Sequence, residues 1–212
     1  MCPLCHYQHS HPYHSDKKRH YLQCGRCELV FVAPQFLPTT DQEKAEYDLH
    51  QNEFDDSGYV SYLSRITSYI PADFEANKQP VRALDFGCGP SPVLAAIMAR
   101  TIDSVSYYDP LYFSSRKVLN QTFDLITCTE AIEHFHQPHR EWSLLTSMLR
   151  TQGALLVMTK RVLDAQRFAS WHYKNDQTHV SFFSEFTFRY LARETDLSVA
   201  FPTSDIAVFR KR

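Results

Sequence analysis

Apolar and polar positions change their period several times along the chain. Two short runs, His20-Tyr21-Leu22-Gln23 and Leu29-Val30-Phe31-Val32, flank a turn and predict hairpin strands, which Pro34 and Pro38 close. From Asp41 to about Ile70 the period becomes helical. Tyr59, Tyr62, Leu63, Ile66 and Ile70 recur at helical spacing, and Pro71 stops the helix. Residues 73–80 form a polar linker. Beyond it, apolar strands are predicted at residues 81–85, 104–108, 123–127 and 154–159, and helices at 92–100 and about 138–149, with Gly153 breaking the chain before the last strand. Phe182, Phe183, Phe186, Phe188 and Tyr190 are expected mostly in the core, with some free to line an apolar slot. Residues 197–212 read as two short strands around residues 202–205. Strands alternating with helices argue a parallel α/β sheet with crossover helices.

With 212 residues, 43% of them hydrophobic, the chain can build one core and a small appendage. The net charge of −2 offers no handle for nucleic acid or a membrane surface. No apolar run is long enough to span a bilayer. Met1-Cys2-Pro3 opens without a signal-peptide apolar region. The expectation is a cytoplasmic protein with reduced cysteines.

Four of the six cysteines form two pairs, Cys2-Pro3-Leu4-Cys5 and Cys24-Gly25-Arg26-Cys27, 18 residues apart. This is the spacing of a structural zinc site, in which two tight knuckles each contribute two thiolates to a tetrahedron. Four thiolates leave no open position, so the metal is expected to be structural rather than catalytic. A segment of about 40 residues builds little core, so ligation would supply much of its folding energy. Five histidines, His6, His9, His11, His14 and His20, lie in the same segment and read as solvated loop residues. Cys88 reads as a small residue in a tight turn and Cys128 as a buried one on a strand.

The chemistry concentrates where the 81–85 strand runs into Gly87-Cys88-Gly89-Pro90. A strand, a glycine turn and a helix make a nucleotide-binding corner, because glycine lets the backbone approach a ligand and the helix start directs amide hydrogens at it. Asp85 sits within the corner, where an acid repels a pyrophosphate and welcomes a cationic amino acid. Asp109 ends the next strand, 24 positions later, where an acid can hold ribose hydroxyls. The turn Gly87-x-Gly89-x-x-Val93 lacks the third glycine of the dinucleotide fingerprint, which argues against NAD or FAD.

With Asp85, this corner resembles motif I of the class I S-adenosylmethionine-dependent methyltransferases. Two further segments resemble the same superfamily in the same order. Phe123-Asp124-Leu125-Ile126-Thr127-Cys128-Thr129-Glu130-Ala131-Ile132-Glu133-His134-Phe135 looks like its strand-four segment, and Leu149-Arg150-Thr151-Gln152-Gly153-Ala154-Leu155-Leu156-Val157 like its helix–glycine–strand-five segment. A bacterial subgroup joins this fold to an N-terminal four-cysteine zinc ribbon, and Trp171-His172-Tyr173-Lys174-Asn175-Asp176-Gln177-Thr178-His179 resembles its signature after strand five. The subgroup is similar to the quinone-biosynthesis methylases and some sugar methyltransferases. The resemblance implies a Rossmann-like sheet, parallel with a C-terminal antiparallel hairpin. Only residues 110–121 separate strand two from strand four, so strand three is expected to be shortened, missing or displaced. The implied organisation is a zinc ribbon over residues 1–40, a helical lid and linker over 41–80, and the methyltransferase domain over 81–212.

The resemblance also implies roles. Asp85, Gly87, Cys88 and Gly89 would line the methionine end of S-adenosylmethionine, and Asp109 and Pro110 its ribose. Thr129 and Glu130 would lie beside the methionine and the reacting methyl. The acid that usually caps strand three near the adenine has no counterpart here, and Tyr112 or Phe113 is expected either to cover the adenine in its place or to pack in the core. Methyl transfer is an in-line displacement that needs positioning and, for oxygen or carbon nucleophiles, a base. Histidine titrates in the right range, and among Glu133, His134, His172, Asp176 and His179 the leading pair is His134 and His179. Tyr47, His50, Asn52, His172, Tyr173 and Asp176 are the substrate or lid candidates. The leading function is methyl transfer to oxygen or carbon of a small-molecule acceptor. An RNA methyltransferase guided by the ribbon is a second reading; against it, the ribbon offers only Lys17, Lys18, Arg19 and Arg26 as basic residues. A degenerate methyltransferase acting as a binding module is the third, and the intact Asp85, Gly87, Gly89 and Asp109 set argues for a surviving cofactor pocket.

Overall fold

The computed structural model describes residues 1–49, 54–76 and 80–212. In chain order, β1 (Ser10–Ser15), β2 (His20–Cys24) and β3 (Val30–Val32) form an antiparallel sheet. Then follow α1 (Thr40–Tyr47), α2 (Ser57–Ser64) and α3 (Asp73–Ala76). The central part comprises β4 (Arg82–Phe86), α4 (Val93–Met98), β5 (Ser104–Tyr108), β6 (Phe123–Thr129), α5 (Pro138–Met148) and β7 (Leu149–Met158). The chain ends with α6 (Ala165–Ala169), β8 (Ser181–Phe182), α7 (Glu185–Glu194), β9 (Leu197–Ala200) and β10 (Ile206–Lys211). Among the described residues no helix is long and apolar enough to cross a membrane.

The main sheet has six strands in the order β5-β4-β6-β7-β10-β9. β5, β4, β6 and β7 are parallel, and β10 and β9 form the expected antiparallel hairpin. Of the expected alternatives for the third strand, the structure shows the missing one: no strand lies between β5 and β6. Residues 110–122 make a turn closed by the Asp109–Phe113 bridge and a 3-10 turn at Val118–Asn120. A parallel crossover alone takes a dozen or more residues, which leaves none for a strand, so β5 is the sheet edge. β7 also starts earlier than expected. It runs through Gly153 from Leu149, and the pairing with β6 shifts between Phe123 and Leu125. Two residues of β6 oppose five of β7 there, and the three extra residues form a bulge that includes Gln152 at φ +62°. The single helical stretch expected before Pro71 is α1, α2 and a 3-10 turn at Arg65–Tyr69; Thr39 and Asp56 cap the two helices. His50 and Asn52 lie outside the described residues.

Period-two alternation along the strands divides the core between the two sheet faces. Ala154, Leu156 and Met158 pack with Leu63, Ile66, Leu94 and Met98. Leu155 and Val157 point the other way, toward Trp142, Leu145, Phe188 and Leu191. That second core also contains Leu4, Leu29, Phe31, Cys2, Cys24 and Cys27, so the N-terminal segment packs on the main sheet.

The cysteine pairs form two knuckles of the same geometry. The residue after each second cysteine, His6 and Glu28, has φ +56°, and its N–H returns to the carbonyl of Cys2 or Cys24 at 3.1 Å. The N–H of Leu4 and of Arg26 donates to the Cys2 and Cys24 sulfurs, each at 3.4 Å. All four Sγ atoms lie within 4.8 Å of one another, with Cys2–Cys27 at 3.6 Å and Cys5–Cys24 at 3.5 Å. A tetrahedral zinc with Zn–S bonds of about 2.3 Å sets sulfurs about 3.8 Å apart, so this donor set fits the ion.

Two connections tie the N-terminal sheet to the chain after β7. β3 pairs with β8, which becomes the sheet's fourth strand. Arg19 is buried, and its guanidinium donates to the carbonyls of Asp176 (2.8 Å), Gln177 (2.9 Å), His179 (3.0 Å) and Lys174.

Candidate functional site

The C-terminal ends of β4, β5 and β6 open into a cleft of about 1140 Å³, where parallel α/β sheets bind ligands. One wall is the glycine corner. Gly87 and Gly89 have φ +78° and +65°, a region that favours glycine. A Cβ on Gly87 would fall 2.5 Å from the Cβ of Ala131, whereas one on Gly89 would meet open space. The corner is pinned to the end of β5: Gly87 and Cys88 donate their N–H groups to the Tyr108 carbonyl at 2.8 and 3.2 Å. Asp109 accepts from the N–H of Gly89 (3.0 Å), Leu111 (2.9 Å) and Tyr112 (3.2 Å), fixing its carboxylate at the cleft wall. Asp85 is buried behind this corner and does not line the cleft. The Thr127 hydroxyl donates to it at 3.0 Å, and burial pushes its carboxyl up to about 7.

The opposite wall begins where β6 ends. Glu130 takes φ +47°, a strained value for this residue, and its N–H donates to the Met158 carbonyl at 2.8 Å. Its carboxylate meets the hydroxyls of Tyr62 at 2.8 Å and Tyr173 at 3.1 Å, and burial raises its pKa. Thr129 Oγ1 is buried without a partner. Glu133 is fully buried behind Glu130, with Oε1 against the Tyr173 hydroxyl and Oε2 unpartnered. Burial, and then the charge of Glu130, push Glu133 up to about 8.

His134 and His179 meet on this wall with ring centroids 4.7 Å apart. The Tyr47 ring packs on His134 at 5.2 Å. Burial, reinforced for His134 by His179, holds both imidazoles below their ordinary value.

The cleft wall therefore brings together Gly87, Cys88, Gly89, Asp109, Pro110, Thr129, Glu130, His134, His179, Asp176 and Tyr47. Tyr173 lies beneath it, holding both glutamates. His172 is exposed and turned to Lys160 Nζ, 3.1 Å away. Of the adenine candidates, Tyr112 lines the cleft, while Phe113 packs on Tyr107. Sequence reasoning read Tyr59 as packing and passed over Tyr62 as a site residue. Both line the cleft, and burial pushes Tyr59 up to about 12. Their i, i+3 spacing puts them on one face of α2, but only the tertiary fold turns that face to Glu130. The hydrogen bond between Glu43 and His136 (2.7 Å) and the cations Arg116, Arg140 and Lys160 along the cleft were likewise missed.

The sequence profile of a family described as "Methyltransferase domain" matches residues 57–200. No curated protein is similar enough to match. Among solved structures, an O-methyltransferase family protein from Burkholderia thailandensis superposes with a TM-score of 0.55 at 12% identity, over 84% of this chain and 64% of that one. The chain thus spans less than two thirds of that protein's length. The 1,6-didemethyltoxoflavin-N1-methyltransferase of Burkholderia thailandensis, solved with 1,6-didemethyltoxoflavin and S-adenosylhomocysteine, gives a TM-score of 0.50 at 13% identity, over 95% of this chain and 99% of that one. At such identities the likeness concerns the fold alone.

Proposed function

The chain belongs to the methyltransferase-domain family, and on that premise we propose that it transfers the methyl group of S-adenosylmethionine to a small-molecule acceptor. The observation that carries this reading is the glycine corner with Asp109 locked beside it. Two left-handed glycines leave room for the methionine end of the donor, and a carboxylate fixed by three N–H groups offers its outer lone pairs to ribose hydroxyls. Asp85 behind the corner supplies negative charge for the donor's ammonium group. Glu130 and Thr129 flank the sulfonium methyl. The acceptor enters over the second wall, where His134 and His179 ready its nucleophile and Tyr47 and Asp176 border it. The toxoflavin enzyme, solved with S-adenosylhomocysteine and the small molecule 1,6-didemethyltoxoflavin, accords with this reading.

The four cysteines hold a structural zinc in the same reading. Its role is to fix the two knuckles, and through β3 the strand β8 that follows His179. The RNA reading is weakened by Arg19, one of the ribbon's few basic residues, which is buried against carbonyls and unavailable to phosphates.

Calorimetric titration with S-adenosylhomocysteine tests the donor site. Asp109→Ala and Gly87→Val are expected to weaken binding at least tenfold, the first by removing the ribose acceptor and the second by driving side-chain carbon into Ala131 and the ligand space. Unchanged affinity in both folded variants would remove the assignment.

A further inference from the structure

Two imidazoles and a carboxylate on the second wall offer lone pairs without hydrogens. The Thr178 carbonyl lies 3.1 Å from His134 Nδ1, and the Tyr173 carbonyl 2.7 Å from His179 Nδ1. A carbonyl can only accept, so in the neutral rings each Nδ1 carries the hydrogen and each Nε2 presents a bare lone pair. Asp176 turns Oδ1 to the N–H (2.8 Å) and the hydroxyl (2.6 Å) of Thr178, two donors that favour its ionised form. Its Oδ2 stands 3.6 Å from His179 Nε2, acceptor against acceptor and too far for a hydrogen bond. Among the described residues no donor reaches either atom. His179 is only 7% exposed, yet it and Asp176 both line the cleft. A buried acceptor left without a donor is costly, so a ligand that fits this corner brings hydrogens. A hydroxyl brings one; an amine brings two or three.

The charge on this wall has the same sense. Glu130 and Asp176 present carboxyl groups to the cleft, and the rings of Tyr47, Tyr59 and Tyr62, which attract cations, line it with them. The cations that act on His179 are directed elsewhere, Arg19 to four carbonyls and Lys160 Nζ to His172 Nε2 at 3.1 Å. An oxygen nucleophile becomes anionic before it attacks and would meet like charge here. An amine attacks while neutral and gains positive charge as it does so, which fixed carboxylates stabilise.

We propose that the acceptor is a small primary amine methylated on nitrogen, its N–H groups held by Asp176 Oδ2 and by Nε2 of His179 and His134. The inference rests on the methyl-transfer reading and names its acceptor atom, nitrogen in place of the oxygen or carbon expected from the sequence. The amine arrives as an ammonium group and gives one proton to His179 Nε2, where Asp176 stabilises the imidazolium until the proton leaves to solvent through the cleft. The freed lone pair forms the N–CH3 bond. The S–CH3 bond breaks with its pair going to sulfur, turning the sulfonium into a neutral thioether. Positive charge thus passes from sulfur to the new secondary ammonium, beside the Asp176 carboxylate.

Benzylamine and benzyl alcohol, alike in shape, test this on the full-length protein in the presence of S-adenosylhomocysteine. Titration followed by nuclear magnetic resonance of the imidazole nitrogens is expected to show the amine binding at least tenfold tighter than the alcohol, with shifts at Nε2 of two histidines. With radiolabelled S-adenosylmethionine, label should enter N-methylbenzylamine and not benzyl methyl ether. Asp176→Asn sets an amide N–H against His179 Nε2 and should erase the preference for the amine. If that variant does not fold, the comparison in wild type decides alone. Equal binding of amine and alcohol, or binding of neither, overturns the amine subsite. Calorimetry with S-adenosylhomocysteine on the same samples separates the two readings. Binding of S-adenosylhomocysteine without an amine preference removes only the amine subsite. An amine preference without that binding removes the methyl-transfer reading and leaves the subsite.

Discussion

In the proposed donor site, Asp85 would join donor binding to a cost in stability. Its carboxyl ordinarily titrates near 3.8, and burial in the fold pushes it up to about 7. Between those values the folded protein keeps a proton that the unfolded chain has lost. Stability therefore falls as pH rises through this window, and the loss is complete above about 7. The total is roughly 4 kcal/mol at most. Asp85→Asn removes that cost, so the ligand-free variant should melt several degrees higher than wild type at pH 8, with the difference shrinking toward pH 4. Binding of S-adenosylhomocysteine should move the opposite way. In wild type it should strengthen severalfold from pH 6 to pH 8 as Asp85 ionises; in the variant it should be weaker and lose that dependence. Melting scans and calorimetry at three pH values decide this; a variant that binds as tightly as wild type at pH 8 would deny the carboxylate a role. The place of Asp85 in the glycine corner was legible in the sequence, because an acid there is locally unusual, but its burial out of the cleft was not. The partnership of Tyr62, Tyr173 and Glu130 was not legible, since residues 68 and 43 positions apart meet only through the tertiary fold.

At the scale of elements, apolar runs disclosed the strands of the main sheet, and their order survived even where boundaries moved. The bulge in β7 escaped because Gly153 reads equally as a break or as a strand residue. β8 escaped because two residues carry no periodicity. Yet β8, with Arg19, links the cysteine knuckles to residues 174–179, the loop bearing Asp176 and His179. Arg19 is a positioning residue: its planar fork gathers four carbonyls that no ammonium can satisfy together. Arg19→Lys should leave a folded protein whose loop is loosened. The expected signature is amide exchange at residues 174–180 accelerated at least tenfold, with acceptor KM raised and S-adenosylhomocysteine affinity within twofold of wild type. Exchange unchanged in the loop would mean that the pairing of β3 with β8 alone holds it.

The whole molecule poses the question of whether the cysteine module is an appendage. Composition suggested so, because a segment that short builds little core of its own. Its apolar side chains do not form a separate core, however. Leu4, Leu29 and Phe31 share one with Leu155, Phe183, Phe188 and Phe209, and Val30 and Val32 share another with Phe168 and Phe182. Removing residues 1–38 would bare the matching face of the main sheet. Each large apolar side chain returned to water costs about 1.5–3 kcal/mol, so a handful matches the roughly 5–15 kcal/mol by which a domain is commonly stable. The β8 edge would also lose its pairing partner. The fragment 39–212 should therefore lack a cooperative melting transition, bind a hydrophobic dye, and show no near-ultraviolet circular dichroism from its tryptophans. On the proposed zinc site, treating the intact chain with a chelator should act in the same direction but less far, because the apolar contacts remain while the knuckles loosen. A fragment that melts cooperatively and still binds S-adenosylhomocysteine would mean that the methyltransferase body folds alone. In that case the shared core would contribute affinity between two folding units, and the knuckles would reach the cleft only through β3 and Arg19.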